Sequence, residues 1–130
     1  MQLSISEQAN SLNQNIDALI ISTTHLDEKY RSKIDKMCQK MNDFLAEYEH
    51  HSRLSIADYA TYLNHDALSP LTIVLGYAEL FRSVHANMLT APELHQMNLI
   101  CDQIRVLTES VRTERNVMVA QRDEYSATRT

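Results

Sequence analysis

The chain has no tryptophan, one glycine and two prolines among its 130 residues. Turn-formers this scarce argue against sheets joined by tight turns and favour long helices. Cys38 and Cys101 stand far apart with no CxxC spacing, which points to reduced thiols in a cytosolic protein. No long apolar run exists, so no membrane span is expected. The polar start, with Ser4, Ser6, Glu7 and Gln8, has no signal-peptide pattern. No basic block exists either; acids and bases are interspersed and the net charge is −5, so nucleic-acid binding is disfavoured. A cytoplasmic protein is the expectation.

What remains is helical periodicity. From about Ser4 to Tyr48 the apolar residues Leu12, Ile16, Leu19, Leu26, Tyr30, Ile34, Met37, Met41, Phe44 and Tyr48 recur mostly at steps of three and four. That is the mark of a helix with a narrow seam, and Thr23 takes one seam position. Thr24 with Asp27 could cap a second helix; one long helix, or two in line, is favoured. Ser55 with Asp58 fits a capping box for the next helix. That helix carries one apolar line through Ile56, Tyr59, Leu63, Pro70, Ile73, Tyr77, Leu80 and Val84. A second line flanks it through Ala60, Ala67, Leu71, Val74, Ala78 and Phe81. A band this wide packs against more than one neighbour. Thr90 with Glu93 makes another capping box, and Pro92 suits a first turn. The last helix, to about Tyr125, has Met97, Ile100, Ile104, Leu107, Val111 and Met118 as its seam; the tail is expected to fray.

The expected fold is therefore all-α. Residues 51–130 form a helical hairpin, and residues 1–50 form a helical, coiled-coil-like N-terminal extension. Two helices cannot enclose both seams, whereas two hairpins can, so a homodimeric four-helix bundle is the simplest closed arrangement.

Chemistry concentrates in NHDALSPLTIVLGYAEL, Asn64 to Leu80. His65, Ser69, Thr72, Gly76, Glu79 and Ser83 fall on one stripe at steps of three and four, away from the apolar band. His65 is thus expected in water, with Leu68 close to the same stripe as an exposed docking residue. Pro70 lacks an amide hydrogen and its ring crowds the carbonyl of Asp66, at about 3 kcal/mol in a helix interior. A kink or loosened turn next to His65 is expected.

His65, Asp66, Ser69, Pro70 and Leu71, with the apolar continuation and its glycine and aromatic, resemble the H-box of the dimerisation and histidine-phosphotransfer domain of sensor histidine kinases. The resemblance spans about Ile56 to Tyr125; the second hairpin helix matches in heptad pattern only. It implies a dimeric bundle with His65 as phospho-acceptor, since neutral imidazole is a good nucleophile near pH 7. Asp66 would hold or take the far ring proton. Ser69 would orient a water against a partner's aspartyl phosphate. Leu68, Thr72 and Gly76 would line the surface that docks a response-regulator receiver. Two positions depart from the pattern: Leu68 stands where the family carries Arg or Lys, and Ala67 replaces a larger apolar residue.

No glycine-rich nucleotide cradle or phosphate-binding loop is present. Phosphate would come from a separate histidine kinase or a phosphorylated receiver, and no cofactor is expected. The alternatives are an inactive dimeric adaptor that binds a regulator or kinase, and the dimerisation segment of a larger sensor kinase. His50–His51 lacks the spacing of a metal site, because adjacent helical residues point about 100° apart. His25, His85 and His95 read as solvated or turn residues, and the methionines as core fillers.

Overall fold

The computed structural model describes residues 3–128. Among them are five α-helices: α1 (Ile5–Ser22), α2 (Glu28–His51), α3 (Ile56–His65), α4 (Leu68–Arg82) and α5 (Ala91–Thr128). A 3₁₀ turn over Ala86–Met88 joins the last two. Among the described residues no helix is long and apolar enough to cross a membrane.

The local signals are the ones a helix start requires. Ser4 caps α1 through a reciprocal box with Glu7, at 3.1 and 3.2 Å. Ser55 accepts from the amide of Asp58 at 3.3 Å to open α3. Thr90 and Glu93 exchange bonds of 3.0 and 3.3 Å at the start of α5. Each box satisfies amides that the first turn leaves unpaired.

Helices α1 and α2 are neither continuous nor in line. α1 closes at Thr23, whose hydroxyl donates to the carbonyl of Leu19 at 2.7 Å. The chain then turns, with the Leu26 amide on the Thr23 carbonyl at 3.0 Å, and α2 runs back antiparallel to α1. Asn13 donates to Asn42 at 2.9 Å, and the Cys38 thiol to Asp17 at 3.4 Å. In-line helices would leave both seams in water; folding back buries them.

The hairpin of α3–α4 with α5 does not wait for a second copy. α1 lies along α5, antiparallel, through Gln8 to Ser110 at 3.0 Å and Asn15 to Gln103 at 2.7 Å. α2 lies along α4, while α5 also packs on α3 and α4. The residues expected as an extension, 1–50, share one core with the rest. Ile16, Met41 and Phe44 are fully buried in the same cluster as Leu63, Phe81 and Ile104. The boundary near residue 50 is a short turn bridged by the Tyr59 hydroxyl, which donates to that of Tyr48 at 3.2 Å.

The seams of α1, α2 and α5 lie inside at nearly every expected position; Tyr30 and Met118 are half-buried. On α3 both lines are buried, with Tyr59 and Leu63 inside beside Ala60, but along α4 the two apolar lines exchange rank. Ala60, Ala67, Leu71, Val74, Ala78 and Phe81 are buried, whereas Ile56, Ile73 and Val84 are exposed. α2 and α5 flank α4 together, and the line pointing between them is the flanking one. Cys38 is half-buried and Cys101 buried; both are free.

Glu93 ties the α1–α2 turn to the start of α5. It is 5% exposed, and His25 Nε2 donates to both carboxylate oxygens at 3.0 Å. Burial alone would raise its pKa. The Thr90 amide, the His25 hydrogen bond and the His25 charge outweigh that and hold it below the ordinary glutamate range.

Two outcomes follow. Phe44→Ala, though it lies outside the hairpin, should lower the stability of the whole chain by about 3–5 kcal/mol in one cooperative transition; a hairpin transition left unmoved in urea-monitored circular dichroism would refute the shared core. The lowered pKa of Glu93 means its contribution is complete above the unfolded-state value near 4.5 and lost as pH falls through the folded one. Glu93→Gln should therefore destabilise by about 1 kcal/mol at neutral pH and flatten the acid limb of Tm against pH.

Candidate functional site

The site forms where α3 gives way to α4. A continuous helix would send the Ala67 amide to Leu63 and the Ser69 amide to His65. Instead the amides of Asp66 and Ala67 both reach the Tyr62 carbonyl, at 2.8 and 3.1 Å, and Ser69 reaches Asp66 at 3.3 Å. Pro70 has no amide for the Asp66 carbonyl, and the ladder re-forms only from Leu68 onward. Pro70 falls in the first turn of α4, where a missing donor is tolerated because first-turn amides have no intrahelical acceptor. No described residue has a cis peptide or a positive φ, so the break is made by retargeted hydrogen bonds alone.

His65 is the last residue of α3. It is exposed, and its ring has no hydrogen bond or ion pair among the described residues. Ser69, Thr72, Gly76, Glu79 and Ser83 follow it as an exposed stripe. The Thr72 hydroxyl donates to the Leu68 carbonyl at 3.0 Å. Gly76 has open space where a side chain would stand. Glu79 is not free for a partner, since it accepts from Arg105 at 2.7 Å. Leu68, expected as fully exposed, is half-buried and packs in part against the core. α4 begins on it.

Asp66 faces a different way. With Ser69, Pro70 and Ile73 it lines a groove of about 350 Å³ against α2, whose Lys40, Asp43, Glu47 and His51 form the far wall, with Tyr62 between. His65 is not among the lining residues. A step of about 100° per residue separates the two side chains. Asp66 makes no hydrogen bond to the His65 ring among the described residues.

His51 is a constituent of this groove that its sequence neighbourhood did not reveal. Its ring stacks on Tyr62 with centroids 4.2 Å apart and planes at 7°. Its Nδ1 donates to the Glu47 carbonyl at 2.7 Å. The turn at residues 52–55, between α2 and α3, brings residues 51 and 62 face to face. Neither this pair nor His50 belongs to any group of three or more metal-ligating side chains among the described residues. His85, read as a turn histidine, is half-buried between Tyr30 and Phe81, at centroid distances of 5.0 and 5.5 Å. Lys33 donates to its Nε2 at 3.3 Å, and burial with the Lys33 and Lys29 charges holds its pKa down.

No protein-family model, curated protein or solved structure matches the chain.

Pro70→Ala restores an amide opposite the Asp66 carbonyl. The Cα chemical shifts of Asp66 and Ala67 should then move toward helical values, and their amides should exchange more slowly; unchanged shifts would show that something other than the proline holds the break.

Proposed function

We propose that the chain is a histidine-phosphotransfer module of two-component signalling, with phosphate passing between His65 and an aspartate on a response-regulator receiver. The observation that carries this reading is the His65 ring. It is exposed and unpaired at the end of α3, beside a broken turn, with an open stripe of Ser69, Thr72 and Gly76 leading away from it. A receiver surface needs such an approach.

The step balances simply. An unprotonated ring nitrogen of His65 attacks phosphorus, the new N–P bond forms, and the P–O bond of the aspartyl phosphate breaks, with the carboxylate leaving. The proton on the other ring nitrogen passes to water. Ser69 would position a water for hydrolysis of the receiver's phosphate. Asp66 would act on the ring through solvent, given its place on the groove side. Phosphate reaches the module from a separate kinase or a phosphorylated receiver.

A homodimer was expected because a lone hairpin leaves two seams open. Here α1 and α2 fill that place, and a four-helix bundle closed within one chain is the form we propose for the module.

One observation favours an adaptor instead. Leu68 occupies the position where the H-box family carries a cation, and it packs in part against the core, so no basic side chain stands at that position to balance phosphate charge. The two readings separate in one assay. Incubated with phosphorylated receivers, or with a partner kinase and ATP, the wild type should acquire acid-labile, base-stable phosphate, and His65→Gln should lose it entirely. Receiver binding without any label would establish the adaptor.

A further inference from the structure

All four lysines of the chain, Lys29, Lys33, Lys36 and Lys40, lie on α2 at steps of four, three and four. Such steps put them on one face, in a row about 17 Å long. The other basic side chains, histidines aside, are arginines. The chain is net negative at −5, so the row is a local reversal of sign.

Nothing among the described residues neutralises this row. Each ion pair takes its cation from an arginine or a histidine, and none from a lysine. Lys36 and Lys40 have no side-chain partner at all among the described residues. Lys29 and Lys33 lie over the Tyr30 ring at 5.0 and 5.6 Å, and Lys33 donates to His85 Nε2 at 3.3 Å. Burial first, and then the Lys33 and Lys29 charges, keep that imidazole from taking a proton. Helix energetics do not account for the row either. Lys29 stands in the first turn of α2, and the positive end of a helix disfavours cations.

The row borders a groove. Lys33 and Lys36 line a hollow of about 330 Å³ with Tyr77 of α4, and Lys40 lines the next, of about 350 Å³, with Ile73. Ile73 and Tyr77, one turn apart, belong to the line along α4 that stays out of the core; Ile73 is exposed and Tyr77 half-buried. A cationic edge on α2 thus faces an apolar strip on α4. Asp35 is the carboxylate in the first hollow. Past Lys40 the sign changes, with Asp43, Glu47 and Asp66 in the second. A bilayer surface or a nucleic acid carries its negative charge beyond that point and would meet these acids. A helix whose acidic edge is a few turns long would not, and its apolar face would lie on Ile73 and Tyr77.

We propose that the α2–α4 groove, with Lys29, Lys33, Lys36 and Lys40 along one edge and Ile73 and Tyr77 along the other, docks an amphipathic helix of a protein partner whose flank beside α2 is acidic. The surface does not involve His65, and it does not depend on the phosphotransfer reading.

The test titrates the full chain, followed by NMR, with a synthetic amphipathic peptide of about four helical turns. The peptide carries leucines on one face and glutamates along its flank; a second version has glutamine for every glutamate. Saturable shifts of the Ile73 and Tyr77 side chains are expected with the acidic peptide, weakening as salt rises. The glutamine version should bind about tenfold more weakly or worse. Lys36→Glu with Lys40→Glu should weaken the acidic peptide by about tenfold or more and leave Tm nearly unchanged, since neither lysine has a partner to lose. Ile73→Ser should weaken it several-fold. Arg112→Glu with Arg122→Glu makes the same change of charge on α5 and should bind as the wild type does; an equal loss there would reduce the effect to net charge and overturn the proposal. No saturation at about millimolar peptide would also overturn it. So would phosphatidylserine vesicles or duplex DNA binding through these lysines while the peptide does not. His65→Gln should bind the peptide as the wild type does, so failure of phosphotransfer and failure of this surface are read separately.

Discussion

A single missing hydrogen organises the functional end of this molecule. Pro70 has no amide proton, so the carbonyl of Asp66 lacks its helical donor, and the amides of Asp66 and Ala67 double up on Tyr62. One long helix becomes α3 and α4, and the loose turn between them sets three side chains on three courses. His65 ends a helix in water, Ala67 drops into the core, and Asp66 turns toward α2.

The second constraint is coverage. The apolar band of α3 and α4 is too wide for α5 alone, and α1 and α2 have seams of their own to hide. The turn from Thr23 to Leu26 solves both by laying α2 against α4 and α1 against α5. His25 in that turn then reaches Glu93, so the polarity at the start of α5 is satisfied by the same fold-back. Side-chain amide and hydroxyl pairs run along the α1–α5 face, through Gln8, Ser110, Asn15 and Gln103, and fix its register without buried charge.

Most of the helices were legible in the residues. The capping pairs Ser55–Asp58 and Thr90–Glu93 mark real starts, and steps of three and four name the buried positions of α1, α2 and α5. Periodicity reports which face of a helix is apolar, not which helix it meets. That is why α1 and α2 read as a straight extension and why the two lines along α4 exchange rank. The exposure of His65 was legible, since it depends on the same face argument; the half-burial of Leu68 was not. The groove was invisible for a related reason. Glu47 and His51 lie on one helix and Tyr62 and Asp66 on another stretch, and only the turn at residues 52–55 sets them opposite each other.

The place of Asp66 bears on chemistry as well as shape. An acid next to a histidine in sequence invites pairing of the two, yet a helical step of about 100° aims them apart, and the break does not undo this. The carboxylate lines the groove together with Glu47 and Tyr62, while the imidazole is exposed. No hydrogen bond from Asp66 fixes a tautomer of the His65 ring among the described residues. A phosphotransfer role for His65 rests on the accessibility of its ring. Ser69 is the one candidate residue that belongs to both faces, being part of the exposed stripe and of the groove wall.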